Sequence, residues 1–282
     1  MVKAKGPADG AREFATALIS HTAQGSTKRR PAGPMVPVLQ DNWKTHKAAC
    51  SAVRTGRPYL VHFDYKRETT DDAPWCKPLI DSLAIPYAKS FYTADSIEAM
   101  FEVLEHPIRP AAILCTTGEV AKRSNRQLIA KIRSYVSDGG RFVFGGPGVS
   151  AISMPLIDEL FAGLGLAEWK VAQYHRTTHA LNVAHPLFHA LPADAPARFA
   201  LPASYSTKAI TLSVPTRDGL FRTDSNSKVE SIAMMFGGGQ ISLGEAAVAC
   251  TKVGDGWLSW VGDVNQEAGS TQAMLFLLGL KG

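Results

Sequence analysis

From residue 57 onward, short apolar runs alternate with stretches whose apolar residues recur at helical spacing. Pro58–Phe63 predicts a strand, followed by a polar loop over 64–72 and a helix through Trp75, Leu79, Ile80 and Leu83. Tyr87–Tyr92 predicts a second strand, and Asp95–Glu105 a helix with Ile97, Met100, Phe101 and Leu104 on one stripe. Ala111–Cys115 is apolar throughout, the pattern of a parallel strand buried on both faces, and it ends in Thr116-Thr117-Gly118. Ser124 is the expected cap of an amphipathic helix bearing Leu128, Ile129, Ile132, Tyr135 and Val136, closed by Asp138-Gly139-Gly140. The strand Phe142–Phe144 then stops in Gly145-Gly146-Pro147-Gly148 and feeds a helix from near Ser153 through Leu156, Ile157, Leu160 and Phe161. Repeated β-α units joined by short turns predict an α/β fold with a doubly wound parallel sheet.

After Gly165 the pattern turns towards β structure. Trp169–Arg176 and Ala209–Val214 read as extended, and Ala246–Lys252 with Trp257–Val261 as a hairpin around Gly254-Asp255-Gly256. A final helix, Ser270 to Leu280, carries Met274, Leu275, Leu277 and Leu278 to pack back on the sheet. With no internal repeat, the expectation is one domain over 57–282 with a β-rich insertion around 169–245. Residues 1–56 stand apart, rich in Gly, Pro, Ala, Ser and Lys, and predict a flexible, partly disordered extension. Within it Gly10–Ile19 predicts a short helix, with Phe14, Ala15, Leu18 and Ile19 on one face.

Charge changes the picture only locally. The net charge of +5 on 282 residues resides in the extension, which holds nine Lys and Arg against three Asp and Glu and leaves the rest of the chain near neutral. Without interleaved aromatics this basicity reads as a solvated segment, and nucleic acid is not an expected partner. No apolar run approaches the ~18 residues of a membrane span. Cys50, Cys76, Cys115 and Cys250 are scattered, which predicts neither a zinc knuckle nor a disulfide frame. A cytoplasmic protein is expected, with mitochondrial import through the basic segment as the alternative, although Asp9 and Glu13 are atypical of import peptides.

Candidate chemistry gathers where parallel strands end, since ligands and nucleophiles are presented at the carboxyl edge of such sheets. The Gly145–Gly148 turn holds no Ser, Cys or Thr. Its backbone N–H groups, with those of Thr116, Thr117 and Gly118, can cradle an anion or a sugar hydroxyl, although tight β-α turns ask for glycine on their own account. Asp263, Asn265 and Glu267 follow the last strand, where two carboxylates and an amide suit a polyol, a cation or acid-base work. His175 and Arg176 are candidates to close the same pocket. Cys115, within Ala-Ala-Ile-Leu-Cys, reads as a small buried hydrophobe before it reads as a nucleophile. His175/His179 and His185/His189 have the spacing of helical metal pairs, but neither stretch reads as helix, so no metal and no cofactor are expected.

The order of elements resembles the class I glutamine amidotransferase-like superfamily, the flavodoxin-like group that also holds the ThuA-like proteins. The resemblance is carried by Ala111–Gly118, Leu128–Gly140, Phe142–Gly148, the phrase His185-Pro-Leu-Phe-His-Ala-Leu-Pro192, and Trp260–Glu267. Trp169, Tyr174–Thr178, Asn182 and Gly262–Glu267 are similar to a fungal branch that lacks the catalytic Cys and His. The resemblance implies a flavodoxin-like sheet. Its Cys-His-Glu triad falls on Gly146, Asn265 and Glu267, so glutamine hydrolysis is not expected: glycine offers no nucleophile, and asparagine shuttles no proton near neutral pH.

Three functions follow as expectations. The first is a non-catalytic amidotransferase-like protein, a pseudoenzyme, binding a small polar ligand or a protein partner at the carboxyl edge through Thr116, Thr117, Gly118, Gly145, Gly146, Gly148, Arg176 and Asn265. The second is a hydrolase of a small polar or sugar-derived substrate using Asp263, Glu267 and His175. The third is an assembly subunit docking through the basic extension, with a homo-oligomer as one form of assembly.

Overall fold

Leu60–Phe63 (β1), Ala112–Cys115 (β3) and Arg141–Gly145 (β4) are apolar runs with almost every residue buried, so each needs cover on both faces. The computed structural model describes residues 59–67, 77–84, 90–189, 201–232 and 241–279. The extension over 1–56, its short helix and its basic segment lie outside the described residues. Phe91–Ala94 (β2) pairs parallel with β1, β1 with β3, β3 with β4, and β4 with Gly256–Val261 (β10). Alternate residues divide the cover. Val61, Phe63, Ile113, Cys115, Phe142 and Phe144 belong to one buried cluster, and Leu60, Ala112, Leu114, Val143 and Val261 to another.

Lys77–Ala84 (α1) contributes Leu79 to the second cluster. Ile97–Glu105 (α2) starts where the Ser96 hydroxyl accepts from the Ala99 N–H, and it buries Ala99, Met100, Val103 and Leu104. Arg126–Ser137 (α3) buries Leu128, Ile129, Ile132, Tyr135 and Val136, the expected stripe. Its N-cap is Asn125, and Ser124 instead hydrogen-bonds the Asn125 side chain. Gly139 leaves this helix at φ 104°, a conformation only glycine adopts easily. Pro147–Ser150 (α4) and Met154–Gly163 (α5) follow β4, and Phe161 of α5 meets Phe144, Trp169 and Trp260 at ring-centroid distances of 6.4, 5.0 and 5.6 Å. Ala268–Leu277 (α7) covers the other cluster with Ala273, Met274, Phe276 and Leu277.

The remaining strands overturn the expected fold class. Lys170–Leu181 (β5), Ser204–Ser213 (β6), Gly219–Arg222 (β7), Val229–Ile232 (β8) and Ala246–Val253 (β9) make only antiparallel pairings. β9 pairs with β6, β6 with β5, β5 with β7 and β7 again with β9, so four antiparallel strands close into a barrel, with β8 added on β5. The barrel is continuous with the rest through the β9–β10 pairing in one ten-stranded sheet. The chain is therefore not a flavodoxin-like, doubly wound parallel sheet with an appended β-rich insertion. Closure removes free strand edges, which explains why these strands join one another instead of standing off as an excursion. β7 and β8 had no counterpart in the reading of the sequence.

The two regions are stitched together at Gly262. Its N–H bonds the Ala247 carbonyl at 2.9 Å, and its carbonyl accepts from the Ile210 N–H at 2.9 Å. A Cβ here would collide with the Ile210 carbonyl, so glycine is required by close backbone approach. Among the described residues no helix is long and apolar enough to cross a membrane.

Candidate functional site

Asp263 lies two residues beyond β10 and forms an isolated bridge with Ala209 of β6, which places it where the parallel region meets the barrel. Its carboxyl group is buried and accepts the Asn265 N–H on Oδ1 and the Glu267 N–H on Oδ2, both at 2.8 Å. These bonds organise the turn that starts α7, and Gln266 within it takes a left-handed φ of 60°. The buried Gln266 amide has no hydrogen-bond partner for either its oxygen or its nitrogen among the described residues.

Glu267 faces the barrel. Arg176 Nη2 donates to its Oε1 at 2.6 Å, Asn265 Nδ2 to the same atom at 3.3 Å, and Thr207 Oγ1 to Oε2 at 3.0 Å. The side chains of Arg176 and Glu267 retain 28% and 20% of their exposure, so this ion pair is open to solvent while Asp263 beside it is not. Burial, then contact with Glu267, pushes the Asp263 carboxyl up to about 7. Burial also opposes charge on Glu267, but hydrogen bonds from Asp263, Arg176 and Thr207 outweigh it and hold that carboxyl below the ordinary glutamate range. Near neutral pH the pair is one carboxylate beside one carboxyl group that still holds much of its proton.

His175 was expected in the same constellation and is oriented elsewhere. Its buried imidazole approaches Glu245, Nε2 to Oε2 at 3.6 Å, and burial lowers its pKa against the pull of that carboxylate. Glu245 is buried as well, accepting from Thr211 Oγ1 at 2.9 Å and from the Ser242 N–H at 3.1 Å. His179, fully buried on the same strand, has no hydrogen-bond partner on either nitrogen among the described residues, and burial lowers its pKa to about 3. Glu245 escaped the sequence reading because it lies 70 residues from His175, joined to it only by barrel closure.

The glycine-rich turns contact one another. A Cβ on Gly148 would strike the Thr116 carbonyl, and one on Gly118 would lie 2.6 Å from the Gly148 carbonyl oxygen. Gly146 takes φ 103° against the Thr116 side chain, and a Cβ on Gly145 would crowd Met274 of α7. Close packing therefore accounts for these glycines. Thr117 caps the following short helix by accepting from the Glu119 N–H at 3.2 Å. The Thr116 hydroxyl lies 2.8 Å from Nε2 of His62, a fully buried residue of β1 whose pKa burial lowers to about 4. His62 gave one signal in the sequence, a polar residue inside an otherwise apolar strand.

Burial pushes the Cys115 and Cys250 thiols up to about 12, so neither presents a thiolate. Pro186–His189 (α6) is a four-residue helix, although the sequence reading placed no helix there. His185 Nδ1 accepts from the Leu187 N–H at 3.1 Å, which leaves Nε2–H to donate to the Cys250 carbonyl at 2.9 Å and fixes this residue as a structural staple. No group of three or more metal-ligating side chains occurs among the described residues.

No protein-family model and no curated protein matches the chain. Among solved structures, a ThuA-like protein from Bacteroides uniformis ATCC 8492 is similar, with 12% identity and a TM-score of 0.47, over 78% of this chain and 88% of that one. A β-galactosidase from Halorubrum lacusprofundi has 13% identity and a TM-score of 0.44, over 80% of this chain. An exo-β-1,4-mannosidase from Opitutaceae bacterium strain TAV5 has 11% identity and a TM-score of 0.39, over 78% of this chain. The chain spans 30% and 36% of the lengths of these two glycosidases.

Proposed function

We propose that this protein binds a small polyhydroxylated or zwitterionic ligand at the rim formed by Arg176, Asn265, Gln266 and Glu267. The observation that carries the reading is Glu267, held charged by Arg176 and Thr207 at a solvent-open edge. Beside it Gln266 takes a left-handed φ, and its buried amide has no hydrogen-bond partner among the described residues, a local cost of the kind that gathers at functional sites. Glycine at position 146 and asparagine at 265 argue for binding without glutamine hydrolysis.

The test is a thermal-shift and calorimetric screen against sugars, sugar acids and amino acids, repeated on Glu267→Gln. A ligand at a hundredfold excess over its Kd adds about 2.7 kcal/mol of stability. The expected result is such a shift in the native chain and its loss in E267Q. A hit retained by E267Q, or silence across the panel, overturns the reading.

One observation favours hydrolysis as a second reading: Asp263 at about 7 beside a charged Glu267 is an acid-base pair. Sugar-derived substrates are the first to assay. Turnover that is lost in Asp263→Asn while the variant stays folded would replace the binding reading with this one.

A further inference from the structure

At the opposite end of β10 from Asp263, roughly 20 Å away along the strand, a separate cavity of about 740 Å³ opens between the β9–β10 hairpin and the segments carrying His189 and Arg217. We propose that it binds a nucleoside monophosphate. The volume lies within the range of small-molecule sites. Trp257 and Lys252 are directly opposed across the hairpin, so an aromatic surface and a cation lie side by side on one face of the ribbon. Arg217 adds a second cation, its side chain 72% exposed and its Nε 3.7 Å from Asp218. Lys252 is exposed, and Trp257 is half-buried, packed against the cluster that holds Val143 and Val261 while lining the cavity.

The floor beneath these groups is rigid. Asp218 accepts from the buried Trp169 Nε1 at 3.0 Å, and the Cys250 carbonyl is engaged by His185. A flat ring stacked on an indole and a phosphate met by Arg and Lys is the combination that recognises a nucleotide. Asp255 on the same wall can accept from a ribose hydroxyl or a base amine, and its charge together with that of Asp218 disfavours longer phosphate chains. This site is distinct from the Arg176–Glu267 rim, and neither reading depends on the other.

The test is calorimetric titration of the full chain with AMP, adenosine, inorganic phosphate and ATP, repeated on Lys252→Glu, Arg217→Glu and Trp257→Ala, with circular dichroism confirming each fold. The expected result is that AMP binds more tightly than phosphate, adenosine or ATP. Each variant should weaken AMP by roughly tenfold or more, and Trp257→Phe should restore most of what Trp257→Ala loses. Phosphate binding as tightly as AMP would overturn the nucleotide assignment, as would AMP binding unchanged in K252E and R217E. Absence of AMP binding at millimolar concentration would also overturn it. Should W257A fail to fold, the solvent-exposed Lys252 and Arg217 variants decide the matter alone.

Discussion

The parallel region and the barrel differ most in what they bury. Between the parallel strands and α2, α3 and α5 the interior consists of residues such as Ile113, Ile132, Phe142, Phe144 and Phe161, all fully buried. The barrel and its flanks bury His175, Thr177, His179, Thr207, Thr211, Thr223 and Glu245. An apolar interior needs only shape, whereas each buried polar atom needs a partner. Thr211 finds Glu245, Thr207 finds Glu267, and Thr177 and Thr223 find the carbonyls of Lys228 and Ser242. His175 Nε2, 3.6 Å from Glu245 Oε2, and both nitrogens of His179 make no hydrogen bond among the described residues. The layer beneath α2, α3 and α5 is built for cohesion, and the barrel concentrates buried polar groups.

That contrast breaks most visibly on truncation. Phe142→Ala removes a fully buried ring from the parallel region and is expected to cost about 3–5 kcal/mol in urea denaturation. A cost below that of a surface substitution would mean that this interior is loosely packed.

The next effect is a pH dependence at the junction. The raised Asp263 pKa means that its stabilising contribution is complete below the unfolded carboxyl pKa of about 4 and is lost as pH rises through about 7. The lowered pKa values of His62 and His179 act in the opposite sense: their contributions are present above about 6.5 and are lost as pH falls through about 4 and about 3. Asp263→Asn isolates the first of these. Measured as variant minus native chain between pH 4 and 8, stability should rise by roughly 2–4 kcal/mol. A flat difference would place the Asp263 proton elsewhere.

The smallest effect sharpens the comparison from the barrel side. His179→Leu replaces a buried imidazole that makes no well-formed hydrogen bond among the described residues by an apolar side chain of similar size, and stability should stay within about 1 kcal/mol of the native chain or rise. A loss approaching that of Phe142→Ala would show that His179 has an essential partner.

Local elements of the parallel region were legible because their determinants are local. A helical stripe such as Leu128–Val136 or an unbroken run such as Ala112–Cys115 specifies its own conformation within a few residues, as does the Gly139 helix stop. That the turn after β4 holds no Ser, Cys or Thr needed no structure at all. β5 shows the limit. It was read as extended only to Arg176, and nothing in its mixture of polar residues told that it runs on to Leu181 or pairs with three different strands.

By itself, then, the sequence determined most of the helices and strands of the parallel region and the residue types that stand at its strand ends. Only the tertiary structure decided that the later strands close into a barrel, that His175 meets Glu245, and that Arg176 reaches Glu267 across 91 residues of chain. Strand pairing and side-chain pairing between distant segments depend on which segment arrives to satisfy a backbone edge or a polar group. That partner is chosen by the burial of the whole sheet and leaves no periodic trace in either segment alone.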